Sequence, residues 1–116
     1  MNINKRTINE SNRPYIIAEL SANHGGDLER AKSSIEMAAK SGASAVKIQS
    51  YTPDTMTIES NLIDFVVKEG LWTGRTLYEL YSEAYTPFEW HEELFRHANQ
   101  CGITLFSTPF DETAVD

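Results

Sequence analysis

Four residues with useful chemistry stand in segments that are otherwise rich in β-branched and apolar residues: Glu19, Lys47, Gln49 and Thr108. The segments are YIIAEL, ASAVKIQSY and ITLFST. A buried charge is costly unless it is paired or used, and a lysine is a natural ligand for a phosphate or carboxylate group. The sequence therefore leaves two interpretations open: a site for a small anion, or a structural ion pair between Glu19 and Lys47, which would add little net stability over apolar packing.

Alternation along a strand predicts that the four side chains share one face. The face that carries them comprises Tyr15, Ile17, Glu19, Ala45, Lys47, Gln49, Thr104, Phe106 and Thr108. The opposite face comprises Ile16, Ala18, Val46, Ile48, Ile103 and Leu105, and is suited to packing against helices. The polar residues gather towards the carboxyl-terminal ends of the strands, which is where barrel enzymes build their sites.

Helical segments separate the three strands. Asp27 is placed to cap a helix that ends at Gly42. Two capping boxes predict further helices, Thr76 with Glu79 for a short one and Thr86 with Glu89 for one that ends at Gly102. We therefore expect strands over 15–20, 43–51 and 103–108, an irregular insertion over 52–85, and another helix start at 109–111.

Strands that alternate with helices predict an α/β fold with a parallel sheet covered on both faces. Three strands leave much apolar surface open, so we expect the N-terminal part of a (β/α)8 TIM barrel, a fold of about 250 residues. Residues 1–13 are polar and predict a lead-in or a short hairpin, and residues 14–116 predict the truncated barrel.

Three other residues are candidates for contact with a ligand. His24 follows the first strand in a turn, where contact with substrate or metal and a structural hydrogen-bonding role are equally compatible with the sequence. Trp72 and Arg75 lie in the insertion, where such groups often shape a pocket, although packing and solvation also explain them. His91 and His97 lie on a predicted helix and are expected to be solvated surface residues.

Composition limits the class of partner. The net charge of -7, with dispersed acidic residues, argues against nucleic acid or an anionic membrane surface. No segment approaches the roughly 20 apolar residues of a membrane span or has a signal-peptide core, so we expect a cytoplasmic protein. Cys101 is the single cysteine, which excludes an internal disulfide or a cysteine metal cluster and predicts a free, packed thiol.

Three segments of the chain resemble the N-terminal part of the sialic acid synthase family. They are IIAELSANHGGDLERA, GASAVKIQSYTPDTMT and LFSTPFDETAVD. The insertion LWTGRTLYELYSEAYTPFEWH is similar to the pseudaminic acid branch of that family. The resemblance implies a transferase that condenses phosphoenolpyruvate with an N-acetylated sugar, here a 6-deoxy di-N-acetylated hexose, to give a nine-carbon 2-keto acid and phosphate.

The same resemblance implies a role for each residue. Glu19 matches an acidic residue near the sugar carbonyl and the attacking water, Lys47 lies beside phosphoenolpyruvate with Gln49, and Thr108 lines that pocket. An asparagine that contacts the sugar in N-acetylneuraminate enzymes stands about where this chain has Trp72, which argues against a mannosamine-type acceptor.

Other parts of the enzyme are expected outside this chain. The resemblance implies a divalent cation, Mn²⁺ or Mg²⁺, held by histidines of later strands, an antifreeze-like domain and a homodimer. We expect the 116-residue chain alone to be inactive. An N-acetylneuraminate or legionaminate synthase, and a non-catalytic barrel remnant that binds small anions, are the alternatives.

Overall fold

Three parallel strands form the centre of the structure. The computed structural model describes residues 1–4 and 6–115. β1 (Asn2–Ile3) and β2 (Arg6–Thr7) pair as an antiparallel hairpin. β3 (Ile17–Glu19), β4 (Ala45–Ser50) and β5 (Thr104–Pro109) form a parallel sheet in that order. The predicted parallel α/β architecture is confirmed. The first strand of the parallel sheet, β3, is shorter than the predicted 15–20.

Two helices cover one face of this sheet. α1 (Leu28–Lys40) and α4 (His91–Gln100) connect successive strands and pack against each other. Ile35 of α1 and Leu94 of α4 are fully buried in one core with Val46 and Ile48 of β4. The apolar face that alternation assigned to helix packing is therefore the face that the helices cover.

Local capping signals explain where two of the helices begin. The Asp27 carboxylate accepts hydrogen bonds from the backbone N–H groups of Glu29 and Arg30 at 2.8 and 3.1 Å, as predicted. Thr76 and Glu79 form the expected reciprocal capping box at the start of α3 (Leu77–Ala84).

The second predicted capping box does not form. The chain makes a 3₁₀ turn over Phe88–Trp90, and α4 begins only at His91. Thr86 is buried, with its hydroxyl oxygen 3.4 Å from His24 Nε2, whereas Glu89 is exposed to solvent. The Thr86 hydroxyl therefore serves a distant histidine instead of the helix.

The insertion after β4 contains α2 (Pro53–Met56), a 3₁₀ turn over Ile63–Phe65, and α3. The buried ring of Tyr51 meets Tyr81 of α3 edge to face at 5.7 Å, and Phe110 after β5 at 5.4 Å. These aromatic contacts attach the insertion to the carboxyl-terminal end of the sheet.

The N-terminal hairpin lies at the opposite end of the strands. The Arg6 guanidinium donates hydrogen bonds to Ser44 Oγ at 2.7 Å and to the carbonyl oxygens of Arg13 and Pro14. Asn4 Nδ2 donates to Thr104 Oγ1 at 2.8 Å. The polar lead-in of the sequence is thus an ordered hairpin that is tied to the starts of β4 and β5.

Candidate active site

Glu19 and Lys47 form an ion pair across neighbouring strands. The register sets Glu19 directly opposite Lys47, and Lys47 Nζ lies 2.7 Å from Glu19 Oε1. The Glu19 side chain is 63% exposed and that of Lys47 is 27% exposed. A pair this open to water contributes only about 0–1 kcal/mol to the free energy of unfolding. Both charged groups lie on the side of the sheet that α1 and α4 do not cover.

Gln49 and Thr108 extend the same face towards the ends of the strands. The register sets them opposite each other on β4 and β5, and both are half-buried. Lys47 and Gln49 alternate with Val46 and Ile48, which point into the helix-covered core. The four residues predicted from alternation therefore lie on one face. Glu19, Gln49 and Thr108 stand at or next to the carboxyl-terminal ends of their strands, and Lys47 lies in the middle of β4.

His24 follows β3 in a turn and is fully buried. Its Nδ1 accepts a hydrogen bond from the Gly26 N–H at 3.0 Å, so the neutral ring carries its proton on Nε2, which faces the Thr86 hydroxyl. Trp90 packs edge to face on the ring at 5.5 Å. Burial lowers the pKa of His24 below its ordinary value. This geometry favours the structural interpretation of His24 over contact with a substrate.

Trp72 and Arg75 contact each other within the insertion. The Arg75 guanidinium carbon lies 5.1 Å from the centre of the Trp72 ring, and Arg75 also pairs with Glu83 of α3. Both residues are half-buried. The contacts hold the two side chains together, and their role towards a substrate stays a prediction.

The expectation that His91 and His97 are solvated is wrong for both residues. His91 Nε2 lies 2.5 Å from the hydroxyl oxygen of Ser50, which is buried on the helix-facing side of β4. His97 is 17% exposed, and its Nε2 faces Glu36 Oε1 of α1 at 3.3 Å. Both histidines lie on the side of α4 that meets the rest of the fold. The prediction failed because it inferred exposure from the polarity of histidine alone.

The described residues lack a helix that could span a membrane and a ready cluster of metal ligands. Over residues 1–4 and 6–115, no helix is long and apolar enough to cross a membrane. Within the same residues, no three His, Cys, Asp or Glu side chains come together to hold a metal ion. A resident divalent cation would therefore need ligands that this group of residues does not supply.

Comparison with known proteins identifies the family. Residues 34–116 match the model of the NeuB family. The chain belongs to the NeuB family. A pseudaminic acid synthase of Campylobacter jejuni is 53% identical over 108 residues, and an N,N'-diacetyllegionaminic acid synthase of the same species is 37% identical over 110 residues. These matches cover 93% and 90% of the NeuB-family chain but only 32% and 31% of the relatives' own lengths.

A solved structure supports the interpretation of the fold. The N-acetylneuraminic acid synthetase of Leptospira borgpetersenii, crystallised with citrate, superposes with a TM-score of 0.78 at 27% identity. The match covers 99% of this chain and 35% of that one. The three parallel strands of the NeuB-family chain thus correspond to the N-terminal part of a sialic acid synthase TIM barrel, as predicted.

Proposed function

We propose that the protein to which this chain contributes is a pseudaminic acid synthase-type transferase. It would condense phosphoenolpyruvate with a 6-deoxy di-N-acetylated hexose of the altrose type. The reaction joins C3 of phosphoenolpyruvate to the sugar aldehyde carbon, adds water at C2, and releases phosphate by C–O cleavage. The observation that carries the proposal is the Glu19–Lys47 pair, with Gln49 and Thr108 on the same face. The similarity to a pseudaminic acid synthase supports it independently.

Lys47 is the residue best suited to bind phosphoenolpyruvate. Its ammonium group has three N–H donors, and the contact with Glu19 requires only one of them. The other two can bind phosphate or carboxylate oxygens without breaking the ion pair. In a protein segment with a net charge of -7, a lysine at this position offsets the charge of the anionic substrate.

Glu19 would act on the sugar or on the water. Its carboxylate contacts Lys47 through Oε1, which leaves lone pairs that can orient a hydroxyl group or take a proton from water. Gln49 and Thr108 would supply fixed dipoles to the phosphoenolpyruvate oxygens.

A divalent cation, Mn²⁺ or Mg²⁺, belongs to the proposal, with ligands from outside the described residues. Such a cation would polarise the sugar carbonyl when bound. A homodimer is likewise proposed, and size-exclusion chromatography with light scattering would test it.

The test is phosphate release by protein that has the full length of the relatives, with phosphoenolpyruvate and each candidate sugar. Lys47→Ala should raise the KM for phosphoenolpyruvate by about 100-fold, since one charge-assisted contact contributes about 1.5–3 kcal/mol. Lys40→Ala is the matched control, because Lys40 is an exposed lysine of α1 whose ammonium group lies 3.5 Å from Glu36. Equal effects of the two variants would contradict the role of Lys47.

A legionaminate or N-acetylneuraminate synthase is the second candidate, favoured by the 37% identity to the legionaminic acid enzyme. Turnover of a mannosamine-type acceptor in preference to the altrose-type sugar would favour it. A non-catalytic remnant is distinguished by isothermal titration with phosphoenolpyruvate, because a remnant would show no binding that depends on Lys47.

A further inference from the structure

Three polar side chains join α4 to the carboxyl-terminal ends of β4 and β5. Ser50 Oγ lies 2.5 Å from His91 Nε2 and 2.5 Å from Ser107 Oγ. His91 Nδ1 lies 3.1 Å from the carbonyl oxygen of Pro87. Ser50 is only 2% exposed. We call Ser50, His91 and Ser107 the serine-histidine clasp.

The partners fix the direction of these hydrogen bonds. The Pro87 carbonyl can only accept, so His91 Nδ1 carries a proton and donates to it. In the neutral ring Nε2 is then an acceptor, and the Ser50 hydroxyl donates to it. Ser50 Oγ in turn accepts from the Ser107 hydroxyl, whose oxygen also lies 3.4 Å from the Ile48 carbonyl oxygen, a longer contact than the 2.5 Å to Ser50. Every polar group of the clasp is therefore satisfied, which is the condition under which a buried network rigidifies its surroundings.

The clasp is not placed for nucleophilic catalysis, although a serine beside a histidine is a common arrangement for it. Ser50 follows Val46 and Ile48 on the helix-facing side of β4, and those residues belong to the core. A substrate on the face of Lys47 and Gln49 would have the sheet between itself and the Ser50 hydroxyl. This geometry instead permits the clasp to hold the ends of β4 and β5 in position.

Each serine of the clasp is the chain neighbour of a residue on the proposed substrate face. Ser50 follows Gln49, and Ser107 precedes Thr108. The register pairs Gln49 with Thr108, and the Phe110 N–H donates to the Ser50 carbonyl at 3.1 Å, which extends the ladder beyond the strand ends. Holding the two serines from one side therefore fixes the backbone that presents Gln49 and Thr108 on the other side.

We propose that His91 is a positioning residue, which through Ser50 and Ser107 holds Gln49 and Thr108 in the geometry that binds phosphoenolpyruvate. The identity of that ligand rests on the proposed function. That His91 immobilises the strand ends does not depend on the proposed function. The immobilisation and the identity of the ligand can therefore be tested separately.

The experiment compares three variants of the protein at its relatives' full length. His91→Phe keeps the ring volume and removes both nitrogens, and His91→Gln restores an amide oxygen that can accept from Ser50. His97→Phe is the control, because His97 lies on the same helix and is also mostly buried, but faces Glu36 instead of the strand ends.

The first readout is hydrogen exchange of the backbone amides in residues 47–50 and 106–110. His91→Phe should speed exchange there by about tenfold, the effect of losing a hydrogen bond of about 1–1.5 kcal/mol. His97→Phe should leave these amides unchanged, and His91→Gln should restore most of the protection. Unchanged exchange in His91→Phe would overturn the proposal.

The second readout is the split between KM and kcat in phosphate release. His91→Phe should raise the KM for phosphoenolpyruvate by about tenfold or more, because displacements of about 1 Å cost up to about 100-fold. His97→Phe should leave that KM unchanged. Faster exchange with an unchanged KM would overturn the positioning role. If the unmodified protein releases no phosphate, the proposed function fails, and the exchange comparison still decides whether His91 holds the strand ends.

Discussion

Glu19 and Lys47 face each other across β3 and β4 at 2.7 Å, on the side of the sheet that α1 and α4 leave uncovered. A charge pair on this face can serve either folding or a ligand, and the two roles lead to different expectations. A role in ligand binding therefore predicts that the two charges matter more for activity than for folding.

Replacing Glu19 tests this expectation. Glu19→Gln should change the free energy of unfolding by less than about 1 kcal/mol, because exposed ion pairs contribute little. The same change should lower kcat by about 100-fold or more, the usual effect of losing a general acid or base. Urea unfolding and phosphate release measure the two quantities. Glu29→Gln is the control, because Glu29 pairs with Lys32 at the same 2.7 Å on the surface of α1 and should affect neither quantity strongly. Equal losses of stability and activity in Glu19→Gln would instead favour a structural pair.

Trp72 provides a test of acceptor selectivity in the insertion. If Trp72 lines the sugar pocket beside Arg75, Trp72→Ala should lower kcat/KM for the sugar by about tenfold, as expected for the loss of about 1.4 kcal/mol of aromatic contact. The KM for phosphoenolpyruvate should stay the same, because Lys47 and Gln49 are untouched. Steady-state kinetics with each substrate varied in turn would measure both. Leu71→Ala is the control, since the neighbouring Leu71 side chain is fully exposed. A matching effect of both variants would contradict a specific contact between Trp72 and the sugar.

His24 should make stability depend on pH. Burial lowers the pKa of His24 below its ordinary value of 6.5, so between the lowered pKa and 6.5 the unfolded chain binds a proton that the folded chain does not. Stability from this source is fully present above about pH 6.5 and declines as the pH falls through 6.5 towards the lowered pKa. Chemical denaturation between pH 5 and 8 should therefore show a decline that His24→Asn reduces. The Asn side-chain oxygen can still accept from the Gly26 N–H, which limits the loss of structure. An unchanged slope in His24→Asn would assign the decline to other groups.

The faces of the strands could be predicted because alternation is local. A strand turns successive side chains to opposite sides whatever its neighbours are, so the positions of Lys47 and Val46 follow from one segment of sequence. The cap at Asp27 was predictable for the same reason, since its partners are two and three residues away.

The residues that the sequence misplaced depend on distant partners. The Thr86 hydroxyl contacts His24, 62 positions away, instead of capping the helix. His91 contacts Ser50, 41 positions away. A local sequence pattern cannot predict whether a side chain will bond to a nearby backbone N–H or to a side chain that is distant in sequence. A signal was present for His91, because Ser50 and Ser107 put hydroxyl groups on strand faces that are otherwise apolar.

Arg6 connects the N-terminal hairpin to the end of the sheet that lies away from the site. Its guanidinium reaches Ser44 Oγ and two carbonyl oxygens and lies over the Tyr15 ring at 5.5 Å. A lysine carries the same charge but cannot reproduce this planar set of donors. Arg6→Lys should therefore lower the free energy of unfolding by about 1–3 kcal/mol, and leave the KM for phosphoenolpyruvate unchanged. Arg30→Lys is a control for the substitution itself, because Arg30 is an exposed residue of α1. A rise in that KM with Arg6→Lys would contradict the separation of the hairpin from the substrate face, because stability alone should respond at this end of the strands.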